Sequence, residues 1–380
     1  MQTNPFDNAM RRQVWSLPEL ILQQYDDLEP KTRRLLATPE IFALQKILLT
    51  GCGDSYAAAL ATQGAFAQLT GIPVEVVSAI DMSRYYPARQ IGNAPLTPLL
   101  IAVSNSGAVA RVAEAALRVN HHGGFTVAIT GNATSPLGRA CARLLKLDIP
   151  DFETAPGIRS YLVAVLALLL LAIRIGEVRG RYPMDAANAY RQEIRAGAAR
   201  LMALLPSADA EIRRIAEQWR DCRGFDFIGA GPDDAAAWYG HAKIWEATGR
   251  YAMHINTEEW LHLNFFCRDV AGTGAVMVVS KNSPAMSRAQ EVAHHIVTLG
   301  RPLMILTDAA PETFPAEARC IATPESDLPW LAPLTQWAPL ALLAGYLAAM
   351  LGEEYGRGGR GPWRSCQNGA TTKDSQIILI

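Results

Sequence analysis

The chain has 380 residues, half of them apolar, and its 35 lysines and arginines nearly balance its 36 aspartates and glutamates. This length favours two domains of ordinary size, and the composition is that of a folded protein. A charge near zero gives no support to binding of nucleic acid or a membrane surface, which need a basic excess. The six cysteines lack the spacing of a metal site, so we expect free thiols and no metal or cofactor.

The beginning of the chain is expected to be helical, because apolar residues recur at helical intervals between residues 8 and 36. No basic stretch followed by an apolar one precedes them, so we expect no signal peptide and a cytoplasmic protein. The stretch most like a membrane span, residues 161–175, is shorter than the ~20 residues that a span needs. We expect it to be a buried helix.

Three apolar runs, each ending in a polar turn, occur in the first half of the chain and again in the second. The turns start at Gly51, Ser104 and Thr130, and then at Gly229, Ser280 and Thr307. The intervals are 53 and 26 residues in the first half and 51 and 27 in the second. Such runs alternating with helical segments indicate parallel strands covered by helices on both faces. The sequence therefore predicts an α/β fold with two doubly wound, flavodoxin-like domains in tandem.

Five segments are expected along the chain. They are an N-terminal helical segment (1–40), a first α/β domain (41–180), connecting helices (181–220), a second α/β domain (221–350) and a C-terminal tail (351–380). The connecting segment is rich in alanine and arginine with helical periodicity. The tail begins with an Arg/Gly-rich stretch that cannot hold regular structure.

The turns of the first repeat are rich in hydroxyl groups and glycines. They are residues 51–55 (Gly-Cys-Gly-Asp-Ser), 104–107 (Ser-Asn-Ser-Gly) and 130–135 (Thr-Gly-Asn-Ala-Thr-Ser). Ligands of doubly wound sheets bind beyond the carboxyl ends of the strands, where N–H groups point outward at helix starts. Each motif alone could be only a tight turn or a helix cap. Together they favour a phosphate site. The second repeat is a weaker one, because Pro232 and Pro284 lack the N–H donor.

The second repeat carries instead, from about residue 238 to residue 263, a segment that we interpret as having no counterpart in the first. Lys243 and Glu246 are three residues apart and share one face of its predicted helix. Aldose–ketose interconversion needs a carboxylate that moves a proton between adjacent carbons, and desolvation beside Trp245 would raise the basicity of Glu246. The alternative is an ordinary surface ion pair.

Residues 51–56 (Gly-Cys-Gly-Asp-Ser-Tyr) with residues 104–107 resemble the sugar isomerase (SIS) family. Almost the whole chain resembles its tandem members, such as the isomerase half of glucosamine-6-phosphate synthases. The resemblance implies that the phosphate of a hexose 6-phosphate is bound, and the sugar lined, by Gly53, Ser55, Ser104, Asn105, Ser106 and Ser135. Two positions depart from the family. Asp54 stands where the family often has threonine, and Val109 lacks the hydroxyl of the family's usual threonine.

The same resemblance assigns residues for proton transfer. Gly240, Lys243 and Glu246 fall on the family's glycine, lysine and catalytic glutamate, and His262 falls on its ring-opening histidine. In that family the histidine reaches the site of a neighbouring subunit, which implies a homodimer with shared active sites. Lys373 resembles the tail lysine that closes over the sugar.

The expected function is that of a phosphosugar isomerase or aminosugar-phosphate deaminase acting on a hexose(amine) 6-phosphate, with Glu246 moving a proton between C1 and C2. No glutaminase domain is expected, because that domain has a terminal cysteine nucleophile and the first cysteine here is Cys52. Two alternatives remain open. They are a deglycase of fructosamine 6-phosphates and a non-catalytic phosphosugar sensor.

Overall fold

The computed structural model describes residues 6–92, 97–355, 361–363 and 370–380. These residues form two compact units. The first-sheet unit comprises residues 20–151 and 160–195 with the described part of 357–380. The second-sheet unit comprises residues 152–159 with the described parts of 1–19 and 196–356.

Each unit contains one five-stranded, fully parallel sheet. The first holds β1 (Ile47–Thr50), β2 (Val74–Val76), β3 (Leu99–Val103), β4 (Phe125–Thr130) and β5 (Arg143–Lys146), in the order β2-β1-β3-β4-β5. The second holds β6 (Gly224–Ile228), β7 (Tyr251–Ile255), β8 (Thr273–Val278), β9 (Leu303–Thr307) and β10 (Arg319–Ala322), in the order β7-β6-β8-β9-β10. The strand order is the same in both, which confirms the predicted tandem of doubly wound α/β domains.

Helices connect the strands and cover the sheets. They are α1 (Ala9–Trp15), α2 (Leu17–Leu35), α3 (Thr38–Ala43), α4 (Asp54–Thr70), α5 (Ala110–His121), α6 (Pro136–Ala140), α7 (Arg159–Val178), α8 (Met184–Gln218), α9 (Asp234–Thr248), α10 (Thr257–His262), α11 (Met286–Thr298), α12 (Ala338–Leu351) and α13 (Ala370–Lys373). A π-helical turn spans Asp81–Tyr85, and a 3-10 turn spans Asn264–Phe266.

The central strands are apolar throughout because both of their faces are covered. Every residue of β1, β3, β4 and β9 is buried. Two described segments, α7 and residues 329–351, are long and apolar enough to cross a membrane by composition, and in each 83% of the most apolar window is buried within the protein. Burial inside a fold is what a core helix shows, as expected for residues 161–175.

The segment from residue 238 to residue 263 has a counterpart in the first repeat, so that interpretation of the sequence was wrong. In the order of elements α9 corresponds to α4, β7 to β2, and α10 to the π-helical turn Asp81–Tyr85. The correspondence is hidden because β2 is a three-residue, half-buried edge strand that produces no apolar run.

Candidate functional site

The carboxyl ends of β1 and β3 border a cavity of about 260 Å³ in the first-sheet unit. These strands flank the point where the strand order reverses, which is where such sheets bind ligands. Four of the residues predicted to bind phosphate line the cavity: Ser55, Ser104, Asn105 and Ser106. None of the described lining residues is a lysine or arginine, so hydroxyl, amide and backbone groups supply the available donors.

The first turn at this cavity has a conformation that only glycine allows. A Cβ on Gly51 would lie 2.6 Å from the backbone carbonyl carbon of Ser55, and Gly53 has a φ of +56° immediately before α4. The turn therefore leads directly into α4, a 17-residue helix whose positive end lies at the cavity. Gly53 shapes this turn and is not among the residues lining the cavity.

The second turn is held in place by hydrogen bonds from its neighbours. The hydroxyl of Ser104 accepts the N–H of Gly107 at 3.2 Å, and the carbonyl of Asn105 accepts the N–H of Gly131 at 2.9 Å. Gly107 has a φ of +63°, and a Cβ there would lie 2.0 Å from the Ser135 hydroxyl. Anchoring of the Asn105 backbone leaves its exposed side chain at the cavity.

Ser135 caps a helix in the structure. Its hydroxyl accepts the N–H of Gly138 at 3.1 Å and caps the start of α6. The side chain is buried behind Gly107 and is not among the residues lining the described cavity. The helix-cap interpretation of these turn motifs therefore holds at Ser135.

A carboxylate and a phenol give the cavity an unusual electrostatic character. Asp54 and Tyr161 both line it. Burial, and then the charge of Asp54, raise the pKa of the Tyr161 hydroxyl far above its usual value. Burial also raises the pKa of the Cys52 thiol, against the opposing effect of Arg111. At neutral pH the phenol and thiol are neutral, so Asp54 brings the negative charge into a site otherwise suited to anions.

The corresponding strand ends of the second-sheet unit are occupied by the protein's own carboxylates. Asp233 lies four residues after Gly229, as Ser55 does after Gly51, and it accepts the N–H and hydroxyl of Ser280 at 3.0 and 2.7 Å. Burial raises the pKa of the Asp233 carboxyl, and the bonds from Ser280 act in the opposite direction. The N–H and hydroxyl of Ser280 are therefore already used within the protein. This adds to the loss of N–H donors at Pro232 and Pro284 that the sequence predicted, and both make this strand end a weaker anion site.

The predicted base lies on α9 in the second-sheet unit. The ammonium group of Lys243 donates to Glu246 Oε2 and lies 5.0 Å from the centroid of the Tyr239 ring. Lys243 is fully buried, whereas the Glu246 side chain is 40% exposed. Desolvation was expected at Glu246, but it is Lys243 that is removed from water. The Glu246 carboxylate stays partly in contact with solvent. A Cβ on Gly240 would lie 2.5 Å from the Phe227 ring, so glycine permits the close packing of α9 on β6.

His262 is the last residue of α10 in the same unit. Its side chain is 65% exposed, and its Nε2 lies 3.2 Å from Glu258 Oε1. Arg288 donates to the two oxygens of Glu258 at 2.7 and 2.9 Å. The bonds from Arg288 and then from His262 hold the pKa of the Glu258 carboxyl below its usual value. Glu258 was not predicted, although its spacing of four residues from His262 on a helix could have identified it.

Lys373 is exposed on α13 in the first-sheet unit and is not among the residues lining the cavity at the ends of β1 and β3. It lines a separate cavity of about 310 Å³ with Ser375 and Ile377. The structure therefore brings four predicted phosphate ligands together, and separately pairs Lys243 with Glu246. Within the described residues, no group of three or more histidines, cysteines or carboxylates could hold a metal ion.

Comparison with known proteins gives one family match. Residues 40–174 match the model of the SIS domain. Glutamine–fructose-6-phosphate aminotransferase [isomerizing] from Caulobacter vibrioides is 26% identical over 359 residues, which are 93% of this chain and 58% of that protein. The chain thus spans little more than half the length of this relative.

Solved structures share the fold at low identity. The C-terminal domain of glucosamine-fructose-6-phosphate aminotransferase from Francisella tularensis has a TM-score of 0.79 at 18% identity, covering 92% of this chain and 98% of that one. Glucosamine-6-phosphate deaminase from Thermotoga maritima has a TM-score of 0.61 at 17% identity, covering 88% and 96%. These similarities extend the shared architecture over both α/β domains.

Proposed function

We propose, from the membership of this chain in the SIS domain family through residues 40–174, that it binds a hexose 6-phosphate and catalyses proton transfer between C1 and C2 of the sugar. The observation that carries this proposal is the cavity at the ends of β1 and β3. The hydroxyl-bearing residues Ser55, Ser104 and Ser106 line it, and α4 begins there. Such donors suit the oxygens of a phosphate group without a cationic side chain.

We assign the proton transfer to Glu246. A carboxylate that removes a proton from one carbon and returns it to the next interconverts an aldose and a ketose through an enediol, with no other reactant. The buried ammonium group of Lys243 pairs with this carboxylate and orients it. His262, as an imidazolium stabilised by its bond to Glu258, would protonate the ring oxygen during ring opening and become a neutral imidazole.

The same proton transfer also accounts for loss of an amine. With an amino group at C2, moving the proton from C2 to C1 gives an imine, and water hydrolyses it to a ketose phosphate and ammonia. Glucosamine 6-phosphate would thus yield fructose 6-phosphate. Isomerisation and deamination therefore need the same carboxylate and the same phosphate site.

The experiment follows the proton itself. The protein is incubated in D2O with fructose 6-phosphate, and deuterium at C1 is measured by NMR, while ammonia release is assayed with glucosamine 6-phosphate. We expect Glu246→Gln to lower both rates by about 10²- to 10⁴-fold, the usual contribution of a general base. The control is Glu217→Gln, since Glu217 is also an exposed, ion-paired glutamate of this unit. Exchange that Glu246→Gln leaves unchanged would overturn the assignment, and binding without exchange or amine release would favour the sensor.

A homodimer with shared active sites belongs to the same proposal, because the family resemblance of His262 implies it. Light scattering measures the oligomeric state. Mixing inactive Glu246→Gln and His262→Ala subunits should restore part of the activity if the two residues of one site come from different subunits. Activity that stays absent in the mixed dimer would contradict sharing.

A further inference from the structure

His262 lies on a segment that cannot hold its own position. α10 has six residues, fewer than an isolated helix needs to be stable, and a 3-10 turn at Asn264–Phe266 follows it. The His262 side chain is mostly exposed, so packing of the imidazole does not fix it. Its partner Glu258 lies on the same short helix, so the placement of His262 depends on the residues that anchor this helix to the rest of the unit.

The anchor before His262 is Trp260. Its side chain is fully buried in the apolar core that includes Ile228 and Ile255. The indole N–H donates to Asp226 Oδ2 at 3.1 Å. Asp226 is the third residue of β6, so this bond ties α10 to a central strand of the sheet.

Arg301 reaches the chain on both sides of His262. Its fully buried guanidinium donates to the same Asp226 oxygen at 2.7 Å and to the carbonyl of Asn264 at 3.2 Å. The guanidinium carbon lies 5.4 Å from the centroid of the Trp260 ring. One side chain thus contacts the residue two positions before His262 and the residue two positions after it.

We infer that Asp226, Trp260 and Arg301, the α10 clamp, are positioning residues that set the placement of His262 for ring opening. This inference rests on the proposed role of His262. A buried ion pair is weak evidence for stability, since apolar residues often replace one without loss of stability. We therefore assign this pair the role of fixing one arrangement of the chain around His262. A displacement of a catalytic group by about 1 Å can cost up to about 10²-fold in rate.

The test compares a sugar that must open with one that cannot close. Fructose 6-phosphate forms a ring, whereas 5-deoxyfructose 6-phosphate lacks the ring-forming hydroxyl. Trp260→Phe removes the indole N–H and keeps an aromatic ring in the core, and Arg301→Lys keeps the charge without the planar fork. We expect each to lower kcat for C1 exchange with fructose 6-phosphate by about tenfold with KM nearly unchanged, and to spare the 5-deoxy sugar.

Trp219→Phe is the matched control, because Trp219 is a buried tryptophan of the same unit that contacts Phe225. It should leave both rates unchanged, and circular dichroism verifies that every variant folds. If His262→Ala spares the 5-deoxy sugar but the clamp variants slow both sugars equally or neither, the clamp inference is overturned and the proposed function stands. If His262→Ala itself slows both sugars equally, the role of His262 fails and the clamp inference fails with it.

Discussion

The carboxylate of Asp233 accepts both the backbone N–H and the hydroxyl of Ser280, at 3.0 and 2.7 Å. Ser280 follows the central strand β8 as Ser104 follows β3. Ser104 lines a cavity in its unit, whereas Ser280 donates both of its hydrogen bonds to Asp233. Asp233 lies four residues after Gly229, the position that Ser55 holds after Gly51. The residue at this position of the first turn, serine in one unit and aspartate in the other, thus contributes to the difference between a candidate anion site and a strand end whose donors are already paired.

Removing a serine hydroxyl should therefore affect substrate binding in the first-sheet unit and stability in the second-sheet unit. We expect Ser106→Ala to raise KM for the sugar phosphate about tenfold, the equivalent of ~1.4 kcal/mol of binding, with little loss of stability. Ser280→Ala should leave KM unchanged and lower the free energy of unfolding by about 1–3 kcal/mol, because Asp233 loses a bond in a buried site. Steady-state kinetics and urea unfolding measure the two effects. A raised KM in Ser280→Ala would indicate that the sugar phosphate binds in the second-sheet unit, against the proposal.

Asp54 should weaken binding of a phosphate dianion. Two like charges about 5 Å apart repel by roughly 1 kcal/mol or more, so Asp54→Thr should lower KM at pH 7.5 by at least about fivefold. Asp81→Asn is the control, because Asp81 is an exposed carboxylate of the same unit that bonds to Ser78. A KM that rises in Asp54→Thr would instead assign Asp54 to recognition of a hydroxyl or amino group of the substrate.

The stability of the protein should depend on pH through His241. Burial, and then the neighbouring His254, lower the pKa of His241 to about 4, against 6.5 for a free histidine. The unfolded chain therefore binds the proton more tightly, and the stability contribution is complete above about pH 6.5 and lost as the pH falls toward about 4. This contribution is ~1–3 kcal/mol after allowance for partial exposure.

His241→Phe should flatten the dependence of the unfolding free energy on pH between 4.5 and 6.5, measured by urea unfolding. His262→Gln provides the comparison, since that imidazole is mostly exposed. An unchanged slope in His241→Phe would show that other groups cause the acid loss of stability.

Glu114 should hold the tail of the first-sheet unit. Its buried carboxylate pairs with Arg84 and Arg111 and accepts the N–H of Ile378 at 2.9 Å. Burial would raise the pKa of this carboxyl, but the bonds from Arg84 and Ile378 outweigh it and lower the pKa. We expect Glu114→Gln to destabilise the unit by about 1–3 kcal/mol and to speed tryptic cleavage after Lys373 at least about fivefold.

Glu75→Gln serves as its control, because Glu75 is a half-buried glutamate of this unit that pairs with Lys46. Mass spectrometry of timed digests measures the cleavage. Equal cleavage rates in the two variants would contradict a tail held by Glu114.

The sequence predicts those parts of the molecule that depend on neighbours along the chain. Fully buried central strands produce apolar runs, and the turns after β1 and β3 combine glycines with hydroxyls, so both were predictable. Edge strands such as β2 and β7 are partly exposed and give no such pattern.

Bonds between distant residues were beyond prediction. Asp226 bonds to Trp260, 34 residues away, and to Arg301, 75 residues away, and no local pattern relates them. The burial of Lys243 rather than Glu246 likewise depends on how α9 packs against the rest of its unit. The cap formed by Ser135 was equally hard to predict, because a hydroxyl that caps a helix and one that binds a ligand look alike in a sequence.

The assignment of segments to the two units constrains how the protein is made. Its first 19 residues, as far as they are described, and residues 152–159 belong to the unit of the second sheet, whereas the described tail belongs to that of the first. A ribosome releases the chain from its N-terminus, so neither unit has all its segments until nearly the whole chain has emerged. The two units therefore cannot be completed one well before the other during synthesis. For the same reason, cleavage at any one position would leave at least one unit without some of its segments.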